Sequence, residues 1–262
     1  MFKYSVSQWI YGNENIEETL QRLSKYQYDG IELKGEPDSI NLAETKELLK
    51  RYELSCSSIC GIYTAERDLA SADETVRNDA IEYVKKCVDL AKALDASTVI
   101  VVPTTVGKHA PKTEEAWNYA VTSLRVAGEY AEQHQITIAI EALNRYETYL
   151  VTNLTEAMAM AEQVNISSVK VMADLFHMNL EERNMLEAFS LIEKSLAHVH
   201  IADNTREAAG IGQTDFAPVI TYLKNMEYNG YITMEFLPGQ NKDEFTKQSI
   251  DHLKKIEARI YS

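Results

Sequence analysis

The sequence predicts a single (β/α)8 barrel, and three observations lead to it. Eight β-branched or apolar runs alternate with eight helix-patterned segments over 262 residues, close to the ~250 residues typical of that fold. No Gly-, Ser- or Pro-rich linker, composition break or low-complexity tract divides them, so 1–262 reads as one domain. The last four strand-like runs all close on residue types that bind metal ions, as catalytic barrels do at their C-terminal face. The main competitor, a doubly wound open sheet, would carry Gly-x-Gly-x-x-Gly after its first strand, and this chain does not.

Residues 4–9 read as the first strand and 15–25 as the first helix, with Ile16, Leu20 and Leu23 on one face and Asn15 as its cap. Residues 30–33 and the helix 42–52, preceded by Asn41, make the second pair. The third strand, 54–59, runs into a loop holding Cys60, Gly61, Ile62 and Tyr63, then a long helix over 75–94 with Asp73 near its start. Residues 97–102 form a continuous β-branched run, the mark of a parallel strand buried on both faces, and Pro103 ends it. After a loop through Gly107 and Pro111 comes the helix 113–134, with Glu114 and Glu115 in the first turn, where the helix dipole favours negative charge. The remaining pairs are 137–140 with 153–164, 169–173 with 185–196, 197–201 with 216–226, and 231–234 with 243–260.

Composition narrows the function classes. Hydrophobic residues make up 45% and charged residues 25%, which is globular. A net charge of −14, from 40 acidic against 26 basic residues, repels a phosphate backbone or an anionic membrane surface, so neither nucleic acid nor membrane is expected as a partner. Most of those acids are read as a solvated face. Cys56, Cys60 and Cys87 lack metal-knuckle spacing and imply reduced thiols in a cytoplasmic protein. No window holds 18 consecutive apolar residues and the first residues lack a signal pattern, so the chain is expected to be soluble and untargeted.

Strand periodicity locates the chemistry, because residues two apart share a face and the inward face of a barrel strand reaches the mouth at its C-terminal end. Glu141 shares a face with Ala139 and Thr137, and Asp174 with Met172 and Lys170. His200 shares one with His198, and Glu235 with Thr233, while the intervening apolar residues point outward to the helices. Three carboxylates in one cavity repel one another and lose hydration unless a cation lies among them. Two Glu, one Asp and one His form an oxygen-rich set that suits one divalent ion, Mn²⁺ first, then Mg²⁺ or Co²⁺. His198 lies one layer deeper and is expected to support the site or to sit hydrogen-bonded in the core. His109, His134 and His252 fall in a loop and on helices, with solvated or packing roles expected.

The segments Glu141-Ala-Leu-Asn144-Arg145-Tyr-Glu147, Asp174-Leu-Phe-His177-Met-Asn179-Leu-Glu181-Glu182, His198-Val-His200-Ile-Ala-Asp203-Asn204-x-Arg206 and Gly210-x-Gly212-x-x-Asp215-Phe216 together resemble ketose 3-epimerases of the D-tagatose/D-psicose type, within the xylose-isomerase-like superfamily. The likeness is strongest from Glu141 to Glu235 and looser over the whole chain, including Asp68-Leu-Ala-Ser71-x-Asp73 with Arg77. It implies metal ligands at Glu141, Asp174, His200 and Glu235, agreeing with strand phase, and substrate contacts at Glu147, His177 and Arg206. It also implies acid/base catalysis by Glu141 and Glu235 through a cis-enediolate, a small sugar as substrate, and a homodimer or tetramer.

The first half departs from that pattern where substrate is chosen. The loop after the fourth strand, Pro103 to Pro111, carries neither Trp nor Tyr, whereas epimerases of this type commonly place an aromatic there. Trp9, Tyr11 and Tyr63 are the candidates for apolar walls. The leading expectation is an epimerase acting at C3 of a free ketose. Aldose–ketose isomerisation, keto-glycoside epimerisation and keto-inositol dehydration use the same site. A nuclease is disfavoured by the acidic charge, and a catalytically silent sugar-binding barrel by the joint presence of Glu141 and Glu235.

Overall fold

In the computed structural model, eight strands, β1 (Lys3–Ser7), β2 (Gly30–Gly35), β3 (Ser55–Gly61), β4 (Thr98–Val101), β5 (Thr137–Ile140), β6 (Val169–Asp174), β7 (Leu196–Ile201) and β8 (Tyr231–Met234), pair in parallel in chain order. β8 closes on β1, through Lys3 opposite Tyr231 to Val6 opposite Met234. The structure describes residues 1–239 and 241–261; the 1–262 reading also takes in Gln240 and Ser262, which lie outside the described residues. Around the strands lie α1 (Ile16–Lys25), α2 (Leu42–Arg51), α3 (Glu74–Ala93), α4 (Glu114–His134), α5 (Leu154–Val164), α6 (Leu175–Glu181), α7 (Met185–Ile192), α8 (Ala217–Asn225) and α9 (Lys242–Ile260). The predicted barrel is the fold. No helix among the described residues is long and apolar enough to cross a membrane.

Short polar side chains start the helices. Asn15, Asn41, Asp73, Thr113, Asn153, Asn184 and Asn241 each accept a hydrogen bond from a backbone N–H of the first turn, satisfying a donor the helix leaves unpaired. The helix ends are less conventional. Gln27, Glu53, Asp95, Gln135 and Glu227 take left-handed backbone angles after α1, α2, α3, α4 and α8, where glycine is usual. In each case the next residue, Tyr28, Leu54, Ala96, Ile136 or Tyr228, donates its N–H five residues back into the helix and delivers the chain to the following strand.

Three expectations are corrected. The first strand ends at Ser7, and Gln8–Tyr11 coil into a 3-10 turn that carries Trp9 to the mouth. The helix expected over 185–196 stops at Ile192, and Leu196 already belongs to β7. A helix absent from the sequence reading, α6, follows β6 without a loop because Asp174 caps it: Oδ1 accepts from Phe176 N at 2.7 Å and His177 N at 3.2 Å.

Strand phase is as expected. Ala139 and Met172 pack inside the barrel with Cys60 and Ile100. Val169 faces outward, so close to α4 that a Cβ on Gly128 would lie 2.5 Å from its Cγ2. The lumen is thus filled by these small and medium apolar side chains together with a buried polar set, Ser5, Glu32, Ser58, His198 and Thr233.

Candidate active site

Glu141, Asp174, His200 and Glu235 meet at the C-terminal end of the barrel, all buried, and one ligand atom of each lies within 4.8 Å of the others. His200 Nδ1 stands 3.4 Å from Glu235, 3.6 Å from Asp174 and 3.7 Å from Glu141, buried and without a hydrogen-bond partner. An orphaned ring nitrogen facing three carboxylates is what a divalent cation's donor set requires. Asp174 serves twice, since Oδ1 caps α6 and Oδ2 points to the cluster.

Electrostatics agree with that fit. Burial, with Glu235 and Asp174 nearby, pushes the Glu141 carboxyl well above the ordinary carboxylate range, and His200 only partly opposes this. Burial also works against charge on Asp174, but His177, His200 and Arg206 hold its carboxyl below the usual range. His200 is buried too, yet the surrounding carboxylates raise it well above the ordinary histidine value. Crowded acids sharing protons with one imidazole are relieved when a cation neutralises them.

Beneath the cluster lies a residue the sequence reading passed over as strand. Glu32 of β2 is fully buried, with Oε2 3.1 Å from His200 Nε2, 3.2 Å from His198 Nε2 and 2.7 Å from the Ser58 hydroxyl that donates to it. Burial opposes its charge, but the two histidines hold its carboxyl well below the carboxylate range. The available signal was a charged residue between Ile31 and Leu33 in an apolar strand, which strand phase turns into the lumen. His198, 2.9 Å from Thr233 Oγ1, is the hydrogen-bonded core histidine expected.

The side chains predicted to touch substrate surround the cavity above. His177 Nδ1 accepts from the Asn144 backbone N–H at 3.1 Å and lies 2.8 Å from its Nδ2, so the ring proton sits on Nε2, which is buried and unpartnered. Asn144 is held by Tyr146 N, which donates to Oδ1 at 3.0 Å, and its Nδ2 also donates to Glu147 at 2.9 Å. Arg206 adopts left-handed backbone angles and donates from Nη1 to Glu147 at 2.7 Å. Its guanidinium lies 4.6 Å over the Phe176 ring, with Nη2 3.8 Å from Glu235. Asn144 and Phe176 lie within the motifs that carry the resemblance, but the sequence assigns neither a role.

A 210 Å³ cavity opens over these groups, lined by Glu141, Glu147, His177, Arg206 and Glu235 together with Trp9, Ile62, Tyr63, Val102, Val106 and Leu143. Trp9 Nε1–H donates to Glu235 at 2.7 Å, so it is wall and anchor at once. Tyr63 also lines the cavity as expected. Tyr11 does not: it is buried between α1 and α9, with its hydroxyl 2.5 Å from Thr246 and Arg22 over its ring. The loop after β4 is tied down by Val106 N donating to Tyr63 O and Gly107 N to Glu147 O, and Lys108 pairs with buried Asp68 at 2.7 Å.

Comparison with known proteins matches residues 20–256 to the xylose isomerase-like TIM barrel family. The chain belongs to that family. Among its relatives is an L-ribulose 3-epimerase of Methylomonas sp. (strain DH-1), 32% identical over 219 residues, covering 82% of this chain and 76% of that protein. Another is a 3-dehydro-D-guloside 4-epimerase of Escherichia coli (strain K12), 29% identical, covering 85% and 87%. The crystal structure of a D-allulose 3-epimerase from Methylomonas sp. in complex with D-allulose superposes with a TM-score of 0.91 at 25% identity, over 97% of this chain and 96% of that one. The resemblance read from the four motifs is therefore matched by whole-chain similarity to sugar epimerases of the xylose isomerase-like family.

Proposed function

We propose that this chain, over 1–262 as one domain, is a divalent-cation-dependent sugar epimerase that inverts the carbon beside a carbonyl, C3 of a free ketose. One observation carries the reading: two glutamates from separate strands, Glu141 and Glu235, reach both the cation-binding cluster and the cavity above it. Inversion needs a base on one face of the carbon and an acid on the other, and this pair supplies both.

When bound, a divalent ion supplies the Lewis acidity without which a carboxylate cannot remove a proton beside a ketone. Three carboxylate oxygens and the lone pair of His200 Nδ1 would hold it, a set that favours Mn²⁺ and also accepts Mg²⁺ or Co²⁺. Everything else falls to the side chains. One glutamate takes the proton, and the other returns one to the opposite face of the planar cis-enediolate. Trp9 Nε1–H fixes Glu235 while it does so. His177 Nε2–H and the Arg206 guanidinium face the oxygens on which negative charge develops, and such pre-aimed donors are effective in a water-poor site. Glu147 aims Arg206 and accepts from a sugar hydroxyl.

The E. coli relative supports a second reading, epimerisation of a keto-glycoside at C4, by the same proton exchange one carbon along. The three buried, unpaired cysteines support a reducing, cytoplasmic setting, and the family resemblance supports a homodimer or tetramer. Incubation with Mn²⁺ in D₂O against psicose, tagatose, fructose, ribulose and a keto-glycoside is expected to place solvent deuterium at the inverted carbon of a free ketose. Exchange confined to the keto-glycoside favours the second reading, and no exchange with any of them refutes both.

A further inference from the structure

The cation ligands do not explain why a fourth carboxylate, Glu32, is buried directly beneath them. It touches neither the cavity nor the three carboxylates through a hydrogen bond; its contacts run to the rings below and beside it. His200 has two nitrogens with opposite tasks. Nδ1 faces Glu141, Asp174 and Glu235, and Nε2 lies 3.1 Å from Glu32 Oε2. A neutral imidazole carries one proton, so an acceptor at Nε2 leaves Nδ1 as a lone pair. Glu32 is itself fixed, by the Ser58 hydroxyl at 2.7 Å and by His198 3.2 Å away. His198 is braced in turn by Thr233 at 2.9 Å, and Thr233 by Ser5 at 2.6 Å.

We infer that Glu32 is a positioning residue for His200: it holds the Nε2 proton, presents Nδ1 to the cation and thereby sets cation affinity. Carboxylate partners of metal-bound histidines act this way, and their loss typically weakens binding about 10- to 100-fold. Ser5, Thr233, His198 and Ser58 form the brace that keeps the carboxylate in line. The inference rests on the reading that His200 is a ligand.

Two measurements test it. In the wild-type chain loaded with Mg²⁺, nitrogen-15 NMR of the histidine rings is expected to show His200 protonated at Nε2 and bare at Nδ1; the reverse tautomer overturns the inference. Mn²⁺ titration is expected to show Glu32→Met binding about 10- to 100-fold more weakly than wild type. Glu32→Gln, whose amide oxygen can still accept from Nε2, should lose less and keep the tautomer. Equal Mn²⁺ affinity in wild type and Glu32→Met overturns the inference alone, whereas a wild-type chain that binds no divalent ion overturns the ligand reading with it. Should Glu32→Met fail to fold, Ser58→Ala, which removes the hydroxyl that fixes Glu32, is expected to weaken Mn²⁺ binding, and unchanged affinity overturns the inference.

Discussion

Strands β5 to β8 each bring one ionisable side chain to the cluster, whereas β1 to β4 and the loops after them bring Trp9, Ile62, Tyr63, Val102 and Val106 to the cavity wall, with one carboxylate, Glu32, hidden below. The second half holds groups whose type dictates chemistry. The first half holds groups whose shape decides what reaches that chemistry. Proton transfer should therefore be broken most sharply from the second half, while changes in the first should alter substrate fit and stability.

The largest effect is expected from Glu141→Gln or Glu235→Gln. Each should lower kcat by about 10²- to 10⁴-fold or more, the range for a lost acid or base, with the melting temperature kept. Retained turnover in either would remove that residue from the proton path. Asp174→Asn comes next, and separates the two duties of that side chain. Asparagine caps a helix as well as aspartate does, so α6 should survive while Mn²⁺ affinity falls by about tenfold or more in titration.

How far the sequence led follows the same division. Asp174, His200, Glu141 and Glu235 stood out because a ligand-type residue ends a β-branched run and strand phase turns it inward. Helix starts were legible through Asn15, Asn41 and Asp73, whose side chains do the capping. Helix ends were not, because Gln27, Glu53 and Glu227 occupy positions usually signalled by glycine. Glu32 was missed since it falls within the strand rather than at its end, where ligand types were sought, and its histidine partners, far away in sequence, are brought beside it only by the fold. Tyr11 was misjudged by proximity: it follows Trp9 by two residues, but the 3-10 turn sends the two rings to different sides.

First-half variants should behave differently. A Cβ on Gly61 would lie 2.6 Å from the Tyr63 ring and 2.7 Å from Ile100 O, so Gly61→Ala must displace the cavity wall. We expect a loss of about 1–3 kcal/mol in stability by denaturant melt and a raised KM with a smaller change in kcat.

The seam between first and last helices offers a pH test. Glu14 is partly buried against Arg22, whose hydrogen bonds, with those of Thr19 and Lys242, outweigh the cost of burying its charge and bring its carboxyl down to about 2. A folded-state pKa below the unfolded value means stability that is present above the ordinary carboxylate range and lost as pH falls toward about 2. Glu14→Gln should therefore flatten the acid side of a melting-temperature profile between about pH 4.5 and 2; an unchanged slope would show that the pair contributes nothing. The smallest effect is expected at a helix end, where Glu53→Gly relieves left-handed strain at the expense of chain entropy and should shift stability by about 1 kcal/mol or less.

The central claim is that Glu141 and Glu235 act on opposite faces of one carbon. A crystal structure of the Mn²⁺-loaded protein with a ketose bound tests it most directly. The account predicts C3 of the sugar between the two carboxylates, with His177 Nε2 and Arg206 on its oxygens. A sugar lying with both carboxylates on one face of that carbon would contradict it.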